Sequence, residues 1–98
     1  MTAQDIERLR PFATRYVWWK TAEEALRYPE RLVAQVMNIG SFADLQRLDE
    51  MVGEDGLRLV LSQAEAGQFT PRSWHYWHYR LGLSDPGKVP TLPERRVA

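Results

Sequence analysis

The sequence contains no cysteine. That excludes disulfides, thiolate metal sites and a cysteine nucleophile. Histidine is almost as scarce, with only His75 and His78. No apolar run approaches the roughly 20 residues that a membrane-spanning helix needs. The N-terminal segment Met1 to Arg10 has no apolar stretch of the signal-peptide kind, so the cytoplasm is the expected location. No sign of charge is in excess: 13 Lys+Arg balance 13 Asp+Glu. Neutrality argues against a protein that holds nucleic acid by bulk charge. Lysine itself is nearly missing, with Lys20 and Lys88 alone. A Gly-rich phosphate loop is absent too, since Gly53 and Gly56 frame only two residues and no Lys-Ser/Thr follows.

What is present fits one small domain. The chain has 98 residues, 44% of them hydrophobic and 27% charged, which is ordinary for a globular domain. Neutrality hides a division. Arg8, Arg10, Arg15 and Lys20 against Asp5 and Glu7 give +2 over residues 1–20; residues 21–69 carry −5 and residues 70–98 carry +3. Such asymmetry can steer a partner, or it can be paired off on the protein's own surface.

Helix signals recur from end to end. Thr2 with Asp5 resembles an N-cap with an acidic third residue, and Pro11 is expected to end that helix near Arg10. Residues 12–20 read as an aromatic-rich connection with at most a helical turn. Thr21 with Glu24 fits a capping box, and Pro29 suits the first turn of a new helix. Leu32, Val33, Val36 and Ile39 form one apolar stripe, with Gly40 placed as a left-handed C-cap. Ser41 starts a helix whose Phe42, Leu45, Leu48 and Val52 repeat on one side until Gly53. A further helix carries Leu57, Val60, Leu61 and Ala64 and stops at Gly67. Thr70-Pro71 is the clearest start signal, opening a helix that ends at Gly82. Pro86, Gly87, Pro90 and Pro93 break any period after Ser84.

The expected fold is therefore all-α: a compact single-domain bundle of about five short helices over residues 1–84, with a flexible, extended Pro-rich tail over 85–98. The expected core is Leu32, Val36, Ile39, Phe42, Leu45, Leu48, Leu57, Val60, Leu61, Trp74, Trp77 and Leu81.

Few residues offer chemistry. His75 and His78 stand three apart on the last helix, with no carboxylate a turn away and no further ligand to complete a zinc site. Packing, with His78 inward and His75 at the rim, is the expected role. Asp44, Asp49, Glu50, Glu54 and Asp55 cluster without the ligand spacing of a calcium loop. No nucleophile, acid/base pair or metal set assembles on one face, so neither an enzyme nor a cofactor is expected. The helix pair 42–52 and 54–65 has the tight connection of a helix-turn-helix, but its second helix offers a groove only Arg58, Ser62, Gln63 and Glu65.

The aromatic helix is the most informative element. Trp74, Trp77, His78 and Leu81 share one face, and Tyr76, Tyr79 and Arg80 lie broadly opposite. One core can take only one side. Tyr76, Tyr79, Arg80 and Arg72 are thus the expected partner-binding set, and Tyr, Trp and Arg are the residues that most often dominate binding energy. Base stacking on the same tyrosines with Arg72 and Arg80 on phosphate is the rival reading.

The stretch from Val17 to Leu83 resembles a family of small bacterial and archaeal helical proteins. Their genes often lie beside those of AbiEii-type nucleotidyltransferase toxins, and they are regarded as candidate antitoxins. The shared features are Trp18-Trp19, the apolar helix ending in Asn38-Ile39-Gly40, and helices broken at Gly53 and before Gly67. Thr70-Pro71-Arg72-Ser73 and an aromatic helix ending in Leu81-Gly82-Leu83 complete the pattern. Members commonly have lysine-rich helices, whereas this chain uses arginine. The resemblance implies a non-enzymatic protein-interaction module, an antitoxin-like partner of a nucleotidyltransferase toxin. A small nucleic-acid-binding regulator is the alternative.

Overall fold

Side-chain caps set most of the helix starts. In the computed structural model, which describes residues 2–85 and 87–94, Thr2 opens α1 (Ala3–Arg8). Its hydroxyl accepts the Asp5 N–H at 3.2 Å, and the Asp5 carboxylate accepts the Thr2 N–H in return. The Thr21 hydroxyl caps α3 (Ala22–Leu26) by accepting the Glu24 N–H; only this half of the expected capping box forms. Proline stands in the first turn of α2 (Arg10–Tyr16) and of α4 (Pro29–Ile39). Ser41 caps α5 (Phe42–Ser62), and Thr70 caps α6 (Pro71–Arg80). The described residues form these six helices and no strand, so the chain is all-α.

The first part of the segment read as an aromatic connection is helical: α2 takes residues 12–16 of it, and residues 17–20 form the non-helical connection that was expected. Pro11 does not end α1; it occupies the first turn of α2, where a missing N–H leaves no bond unmade. Leu9 joins the two helices with α-region dihedrals, and Phe12, Ala13 and Tyr16 then fall on one buried stripe.

α4 lies at the centre, against α2, α3, α5 and α6. Its Val33 and Val36 are fully buried. Leu48, Leu57, Val60, Leu61, Trp74, Trp77 and Leu81 join them as expected, with Leu45 half-buried against the cluster. Leu9, Phe12, Tyr16, Val17, Leu26, Met37 and Phe69 are also buried there, outside the expected core set.

Two expected core residues are outside it. Ile39 is 55% and Phe42 72% exposed. Met37 rather than Ile39 continues the buried side of α4. In the first turn of α5 the inward position belongs to Asp44, a carboxylate that is 2% exposed. The Tyr16 hydroxyl donates to it at 2.5 Å, Arg15 pairs with it at 3.1 Å, and Ser41 caps its own N–H. With Asp44 turned in, Phe42 must face out.

Gly40 acts differently from expectation. Gly40 has extended dihedrals, φ −65° and ψ 150°, not left-handed ones. A Cβ there would stand 2.4 Å from the Val36 carbonyl oxygen, so close approach is what requires glycine. Gly53 breaks the helix where expected: at φ 75° and ψ 162° its backbone is not helical, and α5 is two helical arms, 42–52 and 54–62, that meet there at a kink. The helix expected to run on to Gly67 stops at Ser62, where Glu65 and Gln68 bond each other in a turn instead.

Residues 87–94, part of the segment expected to be a flexible tail, lie against the body. Val89 and Leu92 are half-buried on the core, and the Trp74 indole N–H donates to the Pro90 carbonyl at 2.7 Å. Residues 95–98 of that expectation lie outside the described residues.

Surface charges tie the N-terminal helices together. Arg10 reaches Glu7 at 2.7 Å and Glu23 at 2.8 Å. These bonds raise the Arg10 pKa and hold the Glu23 carboxyl below its ordinary value. Asp5 is likewise lowered, chiefly by the Thr2 backbone N–H.

Candidate interaction surface

α6 is held rigidly at both ends. The Thr70 hydroxyl accepts the Ser73 N–H, while Asn38 of α4 accepts the Thr70 N–H at 3.0 Å and the Ser73 hydroxyl at 2.8 Å. At the far end the Leu83 N–H reaches the His78 carbonyl and the Gly82 N–H reaches that of Tyr79. These two bonds make a Schellman close, with Gly82 at φ 67°. Arg58 of α5 donates to the Leu81 carbonyl at 3.1 Å.

The inward side carries the tryptophans. Trp77 is 0% exposed, and its indole N–H donates to the Met37 carbonyl at 2.8 Å. Trp74 packs edge-on to His78, with centroids 4.3 Å apart, and against Phe69. His78 is buried and His75 exposed, as expected. Each ring places Nδ1 2.7 Å from the carbonyl four residues back, so Nδ1 carries a proton and donates. Among the described residues no three His, Asp or Glu side chains converge to hold a metal.

The outward side carries Arg72, Tyr76 and Tyr79. The tyrosines are 45% and 44% exposed, and Arg72 is exposed. His75, absent from the expected set, joins them through an edge-on contact with Tyr79, ring centroids 6.2 Å apart. Arg80 stands apart from the other three. Its guanidinium lies over the Trp77 ring at 5.3 Å and reaches Asp49 at 3.4 Å and the Tyr76 hydroxyl at 3.5 Å. It is a clasp at the edge of the surface rather than a free cation.

That edge leads to residues that pattern reading assigned elsewhere. Ser73, Tyr76 and Arg80 follow one side of α6. Ser73 bonds Asn38 and Arg80 reaches Asp49, so this side runs beside the corner between α4 and α5. Ile39 and Phe42 are exposed at that corner. Their failure to enter the core was the signal, readable for Phe42 only once Asp44 is known to be buried, and for Ile39 only once Met37 is.

A second aromatic surface lies beyond α2. Trp18 and Trp19 are 76% and 56% exposed and pack edge to face at 5.7 Å. Trp19 borders a groove of about 300 Å³ with Tyr28, Glu24, Gln35 and Glu65. Arg31 covers the Tyr28 ring at 4.8 Å and pairs with Glu65. Adjacent tryptophans off any helical period were the sequence signal for this corner.

Comparison with protein-family models, with curated proteins and with solved structures returns no match.

Proposed function

We propose that this chain is a non-enzymatic protein-interaction module, antitoxin-like in its role, whose partner is a nucleotidyltransferase toxin. Contact is made through the outer side of α6. The observation that carries the reading is the division of that helix. Trp74 and Trp77 fill the core, yet Tyr76 and Tyr79 remain outside with Arg72 beside them. Tyrosine presents a large, rigid area at low entropic cost and is enriched where partners bind. The clasp of Arg80 and the bonds that Asn38 accepts hold the surface in place before a partner arrives, which lowers the ordering cost of association. The toxin as partner rests on the resemblance of Val17 to Leu83 to the antitoxin-like family.

The test is co-purification with the product of the neighbouring reading frame. The Tyr76→Ala/Tyr79→Ala double variant should keep its helical circular dichroism and bind at least about tenfold more weakly. Unchanged binding by a folded double variant removes this surface. Retention of a short duplex or RNA with steep salt dependence, and of no protein, would replace the reading with nucleic-acid binding.

A further inference from the structure

The strap formed by residues 87–94 is held in an unusual way for part of a folded domain. It has no helix and no strand. Among the described residues its one hydrogen bond to the body is that from the Trp74 indole to the Pro90 carbonyl. No ion pair joins it to the body among those residues. Val89 and Leu92 supply the rest of the contact, both half-buried. An extended peptide can sit on a domain in this way, with a ring N–H fixing one carbonyl and apolar side chains, here Val89 and Leu92 three residues apart, seated on either side of it.

The route into the strap is short. From Leu81 at the end of α6 to Val89 there are seven intervening residues, and the chain turns on Gly82 and Gly87, at φ 67° and 82°. A short connection that doubles a segment back onto its own helix is the setting in which identical copies exchange that segment.

We propose that the strap exchanges between two copies of this chain, each placing its Val89–Leu92 segment on Trp74 of the other. The occupant follows from the page. The shelf at Trp74 is already seen to fit this segment, and a second copy carries the same segment. Exchange forms a closed two-fold pair in which both Trp74 shelves are filled. The linker sets the competing effective concentration in one chain at about millimolar, so exchange rises as the protein approaches that range. The proposal is independent of the outer side of α6, which stays exposed in either state.

The test uses the full chain. Light scattering during size-exclusion chromatography, from about 10 μM to about 1 mM, should show the mass rising from 11.4 kDa toward twice that value. In a mixture of ¹⁵N-labelled and ¹³C-labelled chains, intermolecular NOEs should connect the Trp74 indole proton to the Val89 and Leu92 methyls. Val89→Asp/Leu92→Asp should keep the helical circular dichroism and remain a monomer throughout. A wild type that is monomeric at every concentration overturns the proposal. So does a dimer whose strap NOEs are all intramolecular, or a folded double variant that still pairs. If the double variant fails to fold, the strap is part of the body and not an exchangeable segment, which also overturns it.

Discussion

The Tyr16 hydroxyl donates to the Asp44 carboxylate at 2.5 Å, joining residues 28 apart in the chain. The same hydroxyl oxygen accepts the Ser41 N–H at 3.2 Å. One phenol thus fastens α2 to the start of α5 and satisfies a buried acid that Arg15 also reaches. Tyr16→Phe removes both bonds while keeping the ring. It should cost about 1–3 kcal/mol, because a buried charged acceptor loses its donor. Asp44→Ala should cost a similar amount, and the double variant less than the sum, since each change removes the same interaction. Urea denaturation of the four proteins measures the coupling. Additive losses would mean that the two groups do not act together.

Trp77 is the anchor of α6. Its burial is complete, and its N–H holds the Met37 carbonyl. Trp77→Ala should lower stability by roughly 3–5 kcal/mol. Trp77→Phe should cost less, since the ring is mostly kept and a hydrogen bond is lost. Thermal melts of both variants check the order.

Gly53 sits where a side chain would meet nothing within 4 Å. Its φ of 75° and ψ of 162° nonetheless belong to a region that other residues rarely enter. Gly53→Ala should therefore cost about 1–3 kcal/mol through backbone strain alone. Gly53→Asn should give no relief, because asparagine tolerates the left-handed helical region and not this extended one. Equilibrium denaturation distinguishes strain from a clash.

The Arg10 clasp gives a pH signature with a definite sign. Glu23 has a lowered pKa, chiefly through its hydrogen bond from Arg10. A depressed carboxylate contributes stability that is present above its unfolded-state pKa and lost as pH falls through its folded-state pKa. Arg10→Gln should therefore be less stable than wild type at about pH 6, and the two should converge at about pH 2. The pair is exposed, so the difference is small and should shrink in about 1 M salt. Denaturation midpoints across pH follow it directly.

The helix starts were legible because a cap is local chemistry. Thr2, Thr21, Ser41 and Thr70 each bind a backbone N–H three residues on. The inward side of α6 was legible for a similar reason, since a helical period needs only the helix. What escaped was non-local. Asp44 interrupts the apolar period of α5 and is buried only because Tyr16, 28 residues earlier, supplies its donor. Phe42, two residues before Asp44, is turned out with it. The seat of residues 87–94 is fixed by the Trp74 indole, whose N–H holds the Pro90 carbonyl, and the pattern of prolines does not reveal it. Of the candidate surface, Tyr76, Tyr79 and Arg72 were readable from spacing. The tie from Arg80 to Asp49 was not, because it crosses between two helices.

The four tryptophans divide evenly, Trp74 and Trp77 inside and Trp18 and Trp19 outside. The protein is thereby two fluorophores in one. The exposed pair should emit to the red and yield readily to acrylamide, while the buried pair should emit to the blue and resist it until the chain unfolds. A ligand that lands on the outer side of α6 shields neither pair, but one that enters the groove beside Trp19 shields the red component. The colour of the light that survives the quencher therefore tells which side of the molecule has been covered.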